Sequence, residues 1–546
     1  MKKRGVQTLL KILAVVIFST AFFASCKKDR IDKLSPSDTT TNASGTRDQL
    51  TADSIFLYAK EVYLWNESLP TYEAFNPLQY VTSDAEAGFN NELFKITRYA
   101  INPLTNKPYE YSEDDSTSTK YSYIFNTDNT NPVAYVAPSK ASVDLEGNGY
   151  DIGVQIGLYL TNQAGTTYGV FVQAVYQNSP AEKAGMSRGD RITSINGKTL
   201  NTLVANLDDD YSLLYNTFLA DEVSPVTLKG YKRDGSALNV TLTKTSYKSN
   251  PIYCDTVYTA GSKKIGYLAY ARFSSTANSQ SVLDAAFSKF AAGGVTDLII
   301  DLRYNGGGYV ETAEHLANLI IPSSKNGQVM FSEHFNSLMQ SGKATILAKQ
   351  PFTDENDKIQ YENGKMVTYA DLDYSISGNT TKFTKAGSLD NVNNVVFIVT
   401  SNTASASELV INSLKPYFPN LKIVGEQSYG KPVGFFPVRI DKYDVYFSMF
   451  ESWNSTGVAP AYYNGFTPDK EAFDDPEYLL GDLNESSLNT AYTYLQTGSF
   501  PASSSAVSSS RSSSTGLRLR RLLDSKKQMP VKGFKGMIET RMHLRK

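Results

Sequence analysis

Residues 394–400 (NVVFIVT) form an unbroken apolar run that suits a buried strand, and Ser401-Asn402-Thr403-Ala404-Ser405-Ala406-Ser407-Glu408 follows it. A helix is expected from there to about Leu414. A serine at the tip between a strand and a helix gains an exposed hydroxyl and nearby backbone N–H donors, which is what a nucleophile needs. The same Ser405-x-x-Glu408 spacing fits a capping box, a purely structural use. A further apolar stretch, 421–424, leads into Gly425-Glu426-Gln427-Ser428-Tyr429-Gly430-Lys431. A lysine at a strand exit can be a solvated loop charge. Buried beside Ser405, it would lose its proton easily, because desolvation lowers a lysine pKa and a neutral amine can act as a general base.

A third motif follows another buried-strand pattern, residues 295–302 (VTDLIIDL), with Arg303-Tyr304-Asn305-Gly306-Gly307-Gly308. Three glycines let the backbone turn sharply and expose its N–H groups. A phosphate cradle would do the same, but the segment carries neither G-K-[ST] nor G-x-G-x-x-G. With 3 His in 546 residues, a His-rich metal cluster is excluded, though a single catalytic His is not. His315, in VETAEHLANLI, and His334 are therefore alternative general bases, each with an ordinary structural role competing for it. The 2 Cys cannot build a disulfide framework or a cysteine zinc site. A net charge of −2 argues against nucleic-acid binding by the molecule as a whole. No metal, cofactor or nucleic acid is expected.

These motifs need elements to position them, and the length asks for two to four domains. Lys2, Lys3 and Arg4 precede an apolar run at 12–23, too short to span a bilayer comfortably but long enough for a signal-peptide core. The run ends at Ala24-Ser25-Cys26, which resembles a bacterial lipobox with Phe23 in place of the commoner Leu. Residues 1–25 are expected to be a lipoprotein signal peptide, with Cys26 lipidated and serving as the membrane anchor. A plain secretory signal with a chance Cys is the alternative. Residues 26–48 are polar and read as a tether. Residues 49–145 are expected to be mostly helical: Ile55, Tyr58, Val62 and Trp65 fall at helical spacing, with Asp53 as N-cap. Short aromatic strands (YSYIF, VAYVA) close that region. From 250 to 495 strands alternate with helical stretches, the pattern of an α/β core. Residues 496–546 contain nine Ser within 503–514 and then a basic run. They are expected to be a disordered tail. From Arg511 onward there are 11 Lys/Arg against 2 Asp/Glu, net +9, so the body that precedes it is strongly acidic.

Between the helical region and the core, 146–245 changes character. A strand (GVFVQAV) is followed by Asn178-Ser179-Pro180-Ala181-Glu182-Lys183-Ala184-Gly185, a short helix ending on glycine, and then by Gly189-Asp190-Arg191-Ile192-Thr193-Ser194-Ile195-Asn196-Gly197, a strand delivered into an Asn-Gly turn. This order closely resembles a PDZ domain. PDZ domains bind the C-terminal end of a polypeptide as an added strand and capture its carboxylate with backbone N–H groups. Tyr150-Asp151-Ile152-Gly153 would be that loop, with Asp151 an awkward neighbour for a carboxylate.

Taken together, DLRYNGGG, TASASE and GEQSYGK, in this order after a PDZ-like segment, resemble the C-terminal processing (tail-specific) serine proteases. Tyr267 and Gly465-Phe466-Thr467-Pro468-Asp469 resemble that family's flanking motifs. The resemblance covers roughly 149–475. It implies a Ser–Lys dyad, with Ser405 as nucleophile, Lys431 as general base and Glu408 as a supporting carboxylate. It also implies an oxyanion hole from the N–H groups of Gly307 and Ala406. Ser405 and Lys431 lie about one residue further apart than the family leads one to expect, the extra residue falling in 415–420, and Pro432 replaces a small residue after the lysine. The expectation is a lipid-anchored serine endopeptidase of the bacterial cell envelope, on its periplasmic or surface side. Its mixed α/β core would carry a β-rich PDZ domain and act on polypeptides presented by their C-termini. A non-catalytic peptide-binding lipoprotein with the same fold is the alternative.

Overall fold

The structure is a computed structural model, and it describes residues 45–113, 115–128, 143–219, 224–353, 358–501, 520–521, 536–538 and 544–545. The expected signal peptide, Cys26, most of the expected tether and the VAYVA segment lie outside the described residues.

Helix α1 (Arg47–Val62) opens earlier than the sequence pattern suggests. Thr46 is the N-cap: its hydroxyl accepts from the Gln49 N–H at 3.3 Å, and the Gln49 side chain accepts from the Thr46 N–H at 2.8 Å. This capping box satisfies two helix-start donors and outcompetes Asp53, which lies inside the helix and accepts from the Tyr72 hydroxyl at 2.5 Å. Ile55, Tyr58 and Val62 are buried as their spacing requires, while Trp65 lies past the helix end and stacks on Tyr109 at 4.4 Å. Helix α2 (Ala85–Ile96) packs beside α1. The two helices do not form a core alone. Their apolar faces merge with residues 335–374 and 436–450 in one cluster that includes Ile55, Phe56, Phe89, Leu347, Val438 and Phe447. The strand Tyr123–Asn126 joins it by pairing antiparallel with Tyr443–Tyr446. The 49–145 segment is therefore a lobe shared with later parts of the sequence, because two short helices cannot enclose that much apolar surface.

The next unit has the expected PDZ layout. Strands β1 (Val154–Leu160), β2 (Tyr168–Val175), β3 (Arg191–Ile195), β4 (Val226–Tyr231) and β5 (Ala237–Leu242) lie in the order β5-β4-β3-β2-β1. Ser179 caps the short helix Pro180–Lys183, accepting from the Glu182 N–H at 3.2 Å. Asn196 and Gly197, both at positive φ, make the turn after β3. Ile156, Val172, Ile192 and Leu228 belong to a separate small core.

The third unit is built on six strands: β6 (Ile252–Ala260), β7 (Lys263–Tyr270), β8 (Asp297–Asp301), β10 (Asn394–Val399), β11 (Lys422–Gly425) and β13 (Lys470–Glu471), hydrogen-bonded in that order. All pairings but β6–β7 are parallel. Helices α3 (Thr276–Ala292), α4 (Val310–Ile320) and α5 (Ala406–Leu414) cover one face, burying Leu298, Ile300, Val395, Phe397 and Ile423. Helix α6 (Ser486–Thr497) covers the other, burying Tyr267, Ile299, Val396, Ile398 and Val424. Both faces being covered is why the central strands β8 and β10 are so rich in apolar residues. Parallel strands also end on one side, so the loops after β8, β10 and β11 meet at the carboxyl edge of the sheet. Two short strands border that edge: β9 (Gly307–Tyr309), which follows β8, and β12 (Val433–Gly434), which follows Lys431.

Within the C-terminal tail, the described residues 520–521, 536–538 and 544 pair with other parts of the protein. Strand β14 (Arg520–Arg521) pairs antiparallel with the free edge of β1, β15 (Gly536–Ile538) pairs parallel with β9, and Leu544 bridges Leu372. Composition suggested a segment with no means of joining a core. Backbone pairing to exposed strand edges needs no particular composition, and it supplies that means.

Candidate active site

The glycine loop is pinned first. Asn305 donates its side-chain amide to the Tyr270 carbonyl at 3.1 Å, and its backbone carbonyl accepts from the Ala404 N–H at 3.2 Å and the Ser407 hydroxyl at 3.0 Å. The loop after β8 is thus stitched to the one after β10. Gly308 has φ +137°, and a Cβ there would lie 2.0 Å from the Phe273 carbonyl oxygen, so only glycine fits.

Ser405 caps α5 with φ +59° and ψ −111°, a strained backbone for a residue with a Cβ. Strain of this kind, at about 1–3 kcal/mol, typically marks functional turns. Ser405 and Glu408 have the capping-box arrangement, and Glu408 Oε2 accepts from the Ser405 N–H at 2.9 Å, yet the fully buried Ser405 Oγ makes no hydrogen bond of normal geometry. An unsatisfied buried hydroxyl is costly and rare in a purely structural role.

Lys431 is buried as well. Its loop is held by Glu408, whose Oε2 accepts from the Lys431 N–H at 2.8 Å and whose Oε1 accepts from the Gly430 N–H at 2.7 Å and the Ser428 hydroxyl at 2.6 Å. One carboxylate oxygen therefore joins the backbones of Ser405 and Lys431. The Lys431 Nζ lies 4.4 Å from the centre of the Phe435 ring and is not hydrogen-bonded to the Ser405 Oγ. Burial pushes the Lys431 amine down to about 7, against the charges of Glu110 and Glu408, which favour the ammonium. Burial likewise raises the Glu408 carboxyl above the usual carboxylate range, while its four hydrogen bonds pull the other way.

The remaining assignments divide. The Ala406 N–H is in the first turn of α5, where helix amides lack intrahelical partners. The Gly307 N–H, by contrast, donates to Asn305 Oδ1 at 2.9 Å, so it must leave that partner before it can serve an oxyanion. His315 pairs with Asp284 at 2.7 Å, and His334 stacks on Trp453 at 3.9 Å and hydrogen-bonds Ser332. Neither ring bonds to Ser405. In the PDZ unit, Asp151 turns onto its own loop: its Oδ1 accepts from the Gly153 N–H at 2.7 Å and the Tyr247 hydroxyl at 2.6 Å. The amide expected to receive a terminal carboxylate is already used. The Ile152 and Gly153 carbonyls accept from Ala181 and Tyr176, and Tyr150 is exposed on the strand before the loop.

Tyr121 and Glu110 gave no signal in the sequence, while Arg303 and Gly465-Phe466 belong to the motifs already named. Tyr121 donates to the Gly430 carbonyl at 2.5 Å, and buried Glu110 accepts from Ser122 and Ser448 beneath the same loop. The Gly465-Phe466 segment braces it from the other side, with the Phe466 N–H donating to Ser428 Oγ at 2.7 Å. Arg303, fully buried, pairs with Asp301, Asp474 and Glu485 at 2.7–2.9 Å. Asp474 also binds Arg188 of the PDZ unit at 2.5 Å and the Tyr159 and Tyr304 hydroxyls. Arg188 and Arg303 outweigh the effect of burial and hold the Asp474 carboxyl well below the usual carboxylate range.

Comparison with known proteins places the site loops within a recognised sequence family's span. Residues 264–472 match the family profile of peptidase family S41, and residues 171–217 match that of the PDZ domain. The sequence is 26% identical over 306 residues to the C-terminal processing peptidase, chloroplastic, of Tetradesmus obliquus, covering 54% of this protein and 55% of that one. It is 26% identical over 264 residues to the carboxy-terminal processing protease CtpA of Bacillus subtilis strain 168, covering 48% and 44%. The match thus spans about half the length of these curated relatives. Among solved structures, a candidate S41 protease from Bacteroides fragilis NCTC 9343 aligns over 82% of this protein and 97% of that one, at 22% identity and a TM-score of 0.49. Residues 264–472 thus resemble a family S41 peptidase domain, with a PDZ-like segment at 171–217 ahead of it.

The Glu408 clamp can be tested directly. In Glu408→Gln, the side-chain NH₂ would face two backbone N–H donors. Leaving two buried donors unmet should cost about 2–4 kcal/mol, seen as a lower urea midpoint with the circular dichroism spectrum kept. Ser428→Ala, which removes one donor to Glu408 and also leaves the Phe466 N–H without its acceptor, should cost about 2–3 kcal/mol. Equal midpoints for wild type and Glu408→Gln would contradict the clamp.

Proposed function

We propose that the protein is a serine endopeptidase of the C-terminal processing type that works by a Ser405–Lys431 dyad. The observation that carries this is the pair's shared clamp: one Glu408 oxygen binds both backbones, beside a buried amine brought down to about 7 and a serine hydroxyl without a partner. In the first step the Ser405 Oγ attacks the peptide carbonyl carbon, and neutral Lys431 takes the hydroxyl proton. The tetrahedral oxyanion is stabilised by the N–H groups of Ala406 and Gly307, the latter released from Asn305. Collapse breaks the C–N bond, with Lys431 returning its proton to the leaving amine. Lys431 then deprotonates a water, which hydrolyses the Ser405 ester and restores the hydroxyl. The histidine alternative has no such support, since His315 and His334 are engaged elsewhere.

Substrate polypeptides would add as strands to the free edge of β1. The Asp151–Gly153 bond favours strand addition over capture of a terminal carboxylate. Cys26 would carry the lipid anchor that holds the enzyme in the bacterial envelope, on its periplasmic or surface side.

Ser405→Ala and Lys431→Ala should each remove nearly all hydrolysis of an internally quenched peptide, and the double variant should be little worse, because the two act as a unit. Lys431→Arg should fail too, since guanidinium cannot give up its proton. His315→Ala should keep most activity. A well-folded, active Lys431→Ala beside an inactive His315→Ala would contradict the dyad. For the anchor, Cys26→Ala should release the protein from membranes or leave an uncleaved precursor, read by fractionation and intact mass. A variant processed and membrane-bound like wild type would contradict lipidation.

A further inference from the structure

Described residues of the tail pair with the strand that carries the glycine loop. Strand β15 runs parallel to β9 with Gly536 opposite Gly307 and Met537 opposite Gly308. The Gly307 carbonyl and the Tyr309 N–H are both turned to Phe273, so the alternate backbone groups of β9 face β15. Paired strands sit about 5 Å apart, which puts the tail backbone directly beside the oxyanion loop. β15 also lies close to β12, which begins two residues after Lys431. The segment is thus near both the glycine loop and the strand that follows Lys431. Met537 is only 3% exposed and joins the main apolar core with Phe273, Val310, Leu409 and Phe466. Ser405 has no solvent exposure at all.

A second contact points the same way. Strand β14 occupies the free edge of β1, with Arg520 opposite Leu160 and Arg521 opposite Tyr159. That is the edge to which a PDZ domain adds a peptide strand. The Arg545 N–H then donates to the Asp371 carbonyl at 2.9 Å, which fixes the far end. Electrostatics favours this seating, because the segment from Arg511 is net +9 and the body it covers is acidic.

From this we infer that the C-terminal tail is an internal competitive occupant of the protein's own peptide-binding surfaces. It holds the PDZ edge with 520–521 and the cleft with 536–538, and Met537 fills an apolar subsite. External substrates must displace it, and those with an apolar residue at the Met537 position compete best. The consequence for rate rests on the peptidase reading above; the occupancy does not. A tethered occupant acts at an effective concentration of ~1 mM, so a segment that binds at ~100 µM on its own would lower apparent substrate affinity about tenfold.

The test uses the full-length protein. Met537→Asp puts a carboxylate into an apolar site and should expel β15. Its hydrolysis of an internally quenched peptide should show KM about tenfold lower with kcat little changed. In parallel, a fluorescent peptide of residues 531–546 should bind saturably to the Ser405→Ala, Met537→Asp double variant, and the same peptide with Asp at the Met537 position should not. If Met537→Asp fails to fold, Met537→Ala should still lower KM, by a smaller factor. An unchanged KM in a folded variant would overturn the proposal, as would absent binding of the tail peptide. If no form hydrolyses any peptide while the tail peptide binds, the peptidase reading fails and the occupancy stands.

Discussion

The site depends on one buried carboxylate. Glu408 accepts four hydrogen bonds, from the backbones of Ser405, Gly430 and Lys431 and from the Ser428 hydroxyl. These donors come from two loops on adjacent parallel strands, which a backbone bond from the Tyr429 N–H to the Thr403 carbonyl at 2.9 Å also joins. A carboxylate can do this because each oxygen offers two acceptor sites and the charge strengthens each bond. The same arrangement sets the strained turn at Ser405 and leaves its hydroxyl free. It also holds Lys431 in a dry place where its amine gives up charge easily.

Around that clamp the fold supplies layers of support from distant parts of the sequence. The N-terminal lobe braces the lysine loop through Tyr121 and Glu110, which explains why its helices share a core with residues 436–450. Arg303 opens the glycine loop and carries the largest buried ion cluster described, extending through Asp474 to Arg188 of the PDZ unit. Removing one member of such a cluster would strand a buried charge, at about 3–5 kcal/mol. The PDZ unit and the glycine loop are therefore not mechanically independent. A peptide seated on β1 is one residue, Tyr159, away from a carboxylate that also binds Arg303.

Much of this was legible in the sequence wherever the signal was local. Apolar runs gave β8 and β10, glycines marked the sharp turns, and Asn196-Gly197 marked the PDZ hairpin. Ser405 and Lys431 were candidates by residue type at strand exits, and their pairing with each other and with Glu408 came from the family resemblance. What failed was whatever depends on a partner outside the local pattern. Thr46 won the helix cap over Asp53 through Gln49, which a search beginning at the apolar residues overlooks. Asn305 took the Gly307 amide, and Asp151 took the Gly153 amide, because short polar groups readily bond the backbone two residues on. Glu110 and Tyr121 carry no motif at all. The tail's pairings were not legible, since its Ser-rich and basic character says nothing about the strand edges waiting for it.

The central claim is that Ser405 is activated by an amine that is neutral near physiological pH. The most direct measurement is the rate at which a fluorophosphonate probe labels Ser405, located by peptide mass spectrometry, as a function of pH. Labelling should be confined to Ser405 and should rise with pH to a plateau, with a midpoint near the value of about 7 set by burial of Lys431. A rate that is flat from about pH 5 to 9, or a midpoint at the ordinary lysine value of about 10, would contradict it.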